Sequence, residues 1–490
     1  MSSDLASKKA RTVTSLQEEV EKLTALTVPM HMPGHKRALM PSDALPYEWD
    51  ITEIQGADDL HDARGILRKA MSRAADLWGS RRAWFLVGGS TCGILAAIRA
   101  AAPFGSEIIA ARNCHRSVFH AIELGGYKVH WIVPEQDMDF GICKGVTPDQ
   151  VRSAVKKHPY SKAVVLTSPT YEGIISDIRS ISDICSAMEI PLIVDEAHGA
   201  HLGLFAEGGF PDGAVRCGAD LVIQSLHKTL PSLTQTAILH LQGDLVSEKE
   251  IERQLGIFET SSPSYPLMIS IDSCVNLLRE EGDVLFGQWK HNLDEFYRDA
   301  EEFRTIKVLS NEQAGRRTRR FSTRDRSKIL VSFQDSGMRG SKAAQILRNK
   351  YGIEAEMSSG MNVLLMTGPG DSEESFDRLY DALRSMDIVL WRRGEADNKA
   401  RAPISFPKVR TACSILQAVN DPHEEVPLAE SEGRICGEYL YVYPPGIPIL
   451  APGEYIKAEH IKAVLRAEAD GNAVHHTHSK DSRLIACLEE

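Results

Sequence analysis

The sequence predicts an α/β protein: a large domain built on a mostly parallel sheet, followed by a smaller α+β domain. Three observations predict it. From about residue 65 to 240, short apolar runs alternate with longer segments of helical periodicity, the pattern of strand–helix–strand units. Beyond residue 305 the runs shorten and mix with single helices. The chain of 490 residues is 43% hydrophobic and 25% charged, values of an ordinary globular protein, and its length suits about two to four domains.

The elements follow in order. Leu16, Val20, Leu23 and Leu26 stand at helical spacing and predict a short amphipathic helix over 14–26. MHMPGHKR (30–37) is a Pro-Gly interruption and reads as a loop. The large-domain strands are AWFLV, EIIAA, KVHWIV, AVVLTS, PLIVDE and ADLVIQS. Residues 245–305 read as mostly helical. KILVSF (328–333), a helix over about 340–351, a strand near 353–357, MNVLLMTG (361–368) and a helix over about 373–386 make the smaller domain. Residues 395–430, polar and proline-containing, read as a connector, and YVYPPGIPILAPGEYI (441–456) as a packed loop. RRTRRFSTRDRSK (316–328), the strongly basic run, reads as a solvated loop rather than a polyanion site. HHTH (475–478) reads as a mobile tail rather than a metal site, since no carboxylate or cysteine accompanies it at ligand spacing.

Charge and cysteines exclude several classes. Lys and Arg number 56 against 67 Asp and Glu, a net charge of −11, which disfavours broad nucleic-acid binding. The nine cysteines are odd in number and none form CxxC, so a reduced, cytoplasmic protein is expected rather than a disulfide framework. The polar N-terminus lacks the apolar core of a secretory signal, and no apolar run approaches the ~20 residues that span a bilayer.

In parallel sheets ligands gather at the C-terminal ends of strands, and four features fall there. VGGSTCG (87–93) opens a helix with unpaired backbone N–H groups and the hydroxyls of Ser90 and Thr91, which suits a phosphate. RNCHRS (112–117) offers His115, whose ring can stack on a flat ligand. LIVDEAHG (192–199) ends an apolar strand in Asp195 and Glu196; a buried carboxylate there calls for a cation. DEAH also occurs in helicases, but the chain has no GxxxxGK[ST] to accompany it. ADLVIQSLHKTLPSLTQTA (219–237) places Lys228 among Ser225, His227 and Thr229, small and hydroxylic neighbours rather than a charged face. A lysine in an apolar pocket loses proton affinity and becomes an amine nucleophile. Phosphate, flat ring, ring cation and aldehyde together describe pyridoxal phosphate, with Lys228 as the Schiff-base lysine.

These residues lie within longer strings: HMPGHK (31–36), DDLH (58–61), GGST (88–91), SPTYEG (168–173), DEAHGAH (195–201), SSPSY (261–265) and YPPGIPILAPGE (443–454). With them the chain resembles the group I Orn/Lys/Arg decarboxylases, over roughly 28–290 and again at 443–454, and most of all the short arginine decarboxylases without a wing domain. The resemblance implies the aspartate-aminotransferase fold type I, with a seven-stranded sheet. It implies an N-terminal helix and interface segment (1–64), a pyridoxal-phosphate-binding large domain (65–300) and a small C-terminal domain (301–490). Under it Asp195 pairs with the pyridinium, His115 stacks on the ring, and Ser90, Thr91, Ser225 and His227 hold the phosphate or sit beside it. His198 lies near the cofactor. The implied reaction is decarboxylation of arginine first, then lysine or ornithine, in a homodimer or an assembly of dimers. Another reaction on the same fold, such as transamination or carbon–carbon cleavage, and a regulatory homologue without chemistry stand as alternatives. The residue receiving the substrate's distal cation is not legible.

Overall fold

The computed structural model describes residues 14–26, 30, 32–33, 36, 45–310, 323–393, 409–442, 446–469 and 473–489. Its centre is a seven-stranded sheet built from β1 (Arg82–Leu86), β2 (Glu107–Ala111), β3 (Lys128–Ile132), β4 (Val164–Thr167), β5 (Leu192–Asp195), β6 (Leu221–Ser225) and β7 (Ala237–Leu241), in the order β1-β7-β6-β5-β4-β2-β3. All pairings are parallel except the two made by β7. The strands read as continuous apolar runs because both faces are covered. One face meets a large core that includes Ile94, Ala97 and Ile98 of the helix Gly89–Ala101. The other meets Val151, Val155, Ile178 and Ile181 from the helices Pro148–Lys157 and Ile178–Ala187.

The expected N-terminal helix is α1 (Leu16–Leu26), which starts against a buried carboxylate: Leu16 N donates to Asp272 Oδ2 at 2.9 Å. Asp272 also accepts from Arg73 at 2.6 Å. Asp272 lies on α2 (Tyr265–Asp299), a helix of 35 residues that reaches from this end of the large domain to the smaller one. There Trp289 Nε1 donates to Thr367 Oγ1 at 2.9 Å.

The smaller domain carries an antiparallel sheet of β8 (Lys307–Val308), β9 (Lys328–Ser332), β10 (Met357–Ser359) and β11 (Asn362–Met366), in the order β8-β9-β11-β10. The helix expected over 373–386 continues to Arg393.

Four expectations change. The basic run lies outside the described residues up to 322, and its remainder is not a solvated loop. Thr323–Arg324 pairs with Ile174–Ile175, Arg324 is buried against Tyr297, and Lys328 is fully buried. The connector contains a helix, Ile415–Asn420, and β12 (His423–Pro427), which pairs with the strand Leu484–Leu488. The packed loop is a strand pair, β13 (Leu440–Val442) and β14 (Ile447–Leu450), joined through residues 443–445, which lie outside the described set. The HHTH stretch is no tail. Val474–His476 forms β15 and pairs with β13, because the His476 side chain is packed inward, 3.5 Å from the buried carboxylate of Glu438. Among the described residues no helix is long and apolar enough to cross a membrane.

Candidate active site

A cavity of about 620 Å³ opens at the C-terminal ends of β4, β5 and β6, between the large sheet and the smaller domain. Ser90, His115, Asp195, His198, His227 and Lys228 line it. Ser225, fully buried at the end of β6, stands behind Ser90 and donates to its Oγ at 3.0 Å. Thr91 is exposed on the first turn of the helix Gly89–Ala101 and is not among the lining residues. Gly89 opens that helix with a φ of +75°, a conformation L side chains rarely adopt, so the chain can turn sharply from strand to helix there.

Asp195 and Lys228 follow neighbouring parallel strands, so the sheet ladder brings them together despite the 33 residues between them. Lys228 occupies a single helical turn (Leu226–Thr229) directly after β6, and its Nζ is 3.0 Å from His198 Nε2. Burial holds the Lys228 amine below its usual range, against the opposing pull of Asp195 and Glu356. Burial, and then the charge of Lys228, hold His198 well below the usual imidazole range. Burial thus weakens the hold of both groups on a proton. Asp195 is buried; one oxygen accepts from Ala197 N at 3.1 Å. Its proton affinity is raised by burial and opposed by Lys228.

His115 caps the helix Arg116–Gly125. Its Nδ1 accepts from Ser117 N at 3.2 Å and lies 2.8 Å from Ser117 Oγ, which fixes the ring and leaves Nε2 to carry the proton. Burial and the Lys228 charge lower its pKa to about 3, so the ring is a neutral flat surface. His227 is held differently, with Nδ1 3.0 Å from the Thr236 carbonyl.

Sequence reasoning passed over other residues at the cavity. Asn113 sits in the RNCHRS string, and its Oδ1 is buried with no hydrogen-bond partner. Tyr171 sits in SPTYEG, its ring 4.4 Å from that of His198. Both strings were in view, but neither residue type announces a role alone. Glu356 and Met357 arrive from the smaller domain with no local signal. Behind the wall, Lys328 is fully buried, its Nζ has no hydrogen-bond partner, and burial lowers its pKa to about 8.

A model of the Orn/Lys/Arg decarboxylase major domain matches residues 25–314, and a model of the C-terminal domain of the same family matches residues 398–473. The chain belongs to the Orn/Lys/Arg decarboxylase family. Among relatives of this family, an arginine decarboxylase of Bacillus subtilis is 31% identical over 474 residues, 94% of this chain and 95% of that one. The structure of a lysine decarboxylase of Francisella novicida superposes with a TM-score of 0.80 at 17% identity, over 97% of this chain and 81% of that one. A ureidoglycine–glyoxylate aminotransferase of Bacillus subtilis superposes with a TM-score of 0.52 at 17% identity, over 68% of this chain and 87% of that one. The fold is therefore that of the type I pyridoxal-phosphate enzymes, with a mostly parallel seven-stranded sheet. The Orn/Lys/Arg decarboxylase family implies pyridoxal 5'-phosphate, and the groups present fit it. They are a half-buried amine of lowered proton affinity, a buried carboxylate, a neutral flat imidazole, and serine hydroxyls at a glycine-led helix start.

Proposed function

We propose that this protein is a pyridoxal-phosphate-dependent carboxy-lyase that converts a basic L-amino acid, arginine first and then lysine or ornithine, to its amine and carbon dioxide. The observation that carries the reading is the half-buried Lys228 amine, its proton affinity lowered, 3.0 Å from His198 and one strand away from buried Asp195.

Bound here, pyridoxal phosphate would supply an electron sink for the Cα–carboxylate bond of an amino acid. Each residue has a matching task. Lys228 would hold the cofactor's aldehyde through Nζ, where its lowered proton affinity favours an available lone pair. His198 stands at that nitrogen and takes or returns its proton. Asp195, buried, would pair with a protonated ring nitrogen, a cation of the kind a buried carboxylate needs. His115 would offer its flat face to the ring, and its anchor to Ser117 holds the imidazole in place. Ser90, Thr91, Ser225 and His227 hold the phosphate or its neighbourhood, with the helix Gly89–Ala101 contributing the positive end of its dipole. The partly apolar lining of the cavity would withdraw water from the substrate carboxylate, which favours its departure as carbon dioxide.

The same reading takes the segments 1–64, 65–300 and 301–490 as N-terminal helix and interface segment, cofactor domain and small domain, the assembly as a homodimer or an assembly of dimers, and the location as cytoplasmic. The free cysteines among the described residues, most of them buried, support a reducing compartment.

The test is Lys228→Ala. Borohydride treatment of the wild-type holoenzyme should attach pyridoxyl phosphate to the peptide bearing Lys228, and the variant should take up no label and release no carbon dioxide. Full turnover by the variant, or a wild-type holoenzyme that releases carbon dioxide from none of the three amino acids, would overturn the proposal.

A further inference from the structure

The cavity lies at the C-terminal ends of the strands. At the opposite end of the sheet, β2 and the edge strand β3 begin with Glu107 and Lys128. The ladder pairs Glu107 with Lys128 and Ile109 with His130, so these four side chains share one face of the sheet. Ile109 belongs to the core on that face, together with Val151 and Val155 of the helix Pro148–Lys157. That helix ends beside the two strands. Its C-cap is His158, whose backbone N–H donates to Ala154 O at 2.9 Å and whose ring stacks on that of His130. Three segments of the chain thus deliver one carboxylate and two imidazoles to a single spot at the sheet's edge.

Among the described residues, Glu107, His130 and His158 bring one ligand atom each within 4.8 Å of one another. His130 Nε2 is 2.9 Å from Glu107 Oε2, and the two imidazole rings are 3.5 Å apart with their planes at 13°. Lys128 donates to the other carboxylate oxygen at 2.8 Å, which leaves Oε2 for the imidazoles. The side chains of His130 and Glu107 are 15% and 31% exposed, sheltered yet open to an ion from solution. None of the three lines the catalytic cavity. Two imidazoles and a carboxylate suit a late first-row divalent ion, whereas magnesium and calcium prefer oxygen ligands alone. Such a set leaves a fourth position for water. The end of the helix adds the negative pole of its dipole beside His158. Lys128 and Lys157 act against a cation there, so the site is weaker than a closed tetrahedral one. We propose that Glu107, His130 and His158 bind a late first-row divalent ion, zinc first, at the end of the sheet opposite the cavity. A metal lies in the plane of each imidazole it binds, so His158 swings out of its stack while Glu107 and His130 keep their places on the strands. The bound ion joins β2, the edge strand β3 and the helix that leads into β4. The site requires neither pyridoxal phosphate nor decarboxylation.

The experiment compares holoenzymes of the wild type, His158→Ala and Glu107→Gln in a buffer that does not bind metals. Zinc chloride followed by calorimetry should fill one site per wild-type chain, and excess zinc should raise the thermal midpoint. Removing a residue that merely supports a metal ligand costs about ten- to hundredfold in affinity, so loss of a ligand in either variant should weaken zinc binding by about tenfold or more. Magnesium chloride should give no saturable binding at this site. X-ray absorption at the zinc edge, with one equivalent bound, should show nitrogen and oxygen neighbours, two of them imidazoles, and no sulfur. Without metal, His158→Ala should keep the visible absorbance and thermal midpoint of the wild type, which guards against a variant that has lost cofactor or fold. Equal zinc binding by the wild type and His158→Ala, sulfur in the zinc shell, or no saturable binding by the wild type would overturn the proposal.

Discussion

Glu196 follows Asp195 directly, yet it points into the fold rather than into the cavity. Its oxygens accept from Ala214 N and Gln224 Nε2, both at 2.7 Å. Burial, only partly offset by these bonds, raises its pKa from 4.5 to about 8. An unfolded chain loses this proton near 4.5 and the folded chain keeps it to about 8, so the contribution to stability is complete below 4.5 and disappears as pH rises through 8. Glu196→Gln removes the titration. The thermal midpoint of the wild type should fall relative to the variant across that window, and a constant difference would show that the carboxyl is not held protonated. Residue-level legibility divides along the same line. Lys228, Asp195, His115 and Ser90 were readable because each ends or follows an apolar strand that has no structural use for it. Glu356 and Lys328 were not: each belongs to an unremarkable strand segment of the smaller domain, and only tertiary packing brings them toward Lys228.

At the scale of elements, apolar runs marked the six parallel strands well. β7 escaped because His240 interrupts its run; the ring is buried only because Gln224 and Ser80 lie 3.1 and 3.0 Å from its nitrogens. The β13–β14 pair escaped because prolines disguise it. Pro448 is tolerated on β14, an edge strand that needs no ladder donor there. That pair carries a consequence for the site. Arg112, three residues before His115, is buried and forms a two-pronged pair with Glu454, with nitrogen–oxygen distances of 3.0 Å, while also donating to the Pro448 carbonyl at 2.7 Å. Arg116 N donates to Gly446 O at 3.1 Å. The loop bearing His115 is thus clamped by the C-terminal segment. Glu454→Ala leaves a buried guanidinium without its counter-charge and should cost about 3–5 kcal/mol in denaturant unfolding, with weaker pyridoxal phosphate binding by absorbance titration. A loss below about 1 kcal/mol would place the pair among ion pairs of surface strength.

At the scale of the whole molecule, the strand–helix alternation gave the large domain its layers, but nothing local announced how α2 would span both domains. Its apolar positions, Met268 and Val275 toward one end and Trp289 and Phe296 toward the other, belong to one continuous core, so its periodicity reads the same throughout. The homodimer or assembly of dimers proposed above predicts a mass that is an even multiple of the chain's by light scattering of the holoenzyme; a monomer retaining full turnover would reject it. The placement of Asp195 at the end of β5 and of Lys228 just after neighbouring β6 has a further effect. Backbone pairing holds these two residues, whereas side chains of the smaller domain, Leu330 and Met357 among them, form another wall of the cavity. Sequence drift on that wall can therefore change which metabolite is admitted without disturbing the chemistry behind it, and a lineage can broaden its diet one wall at a time.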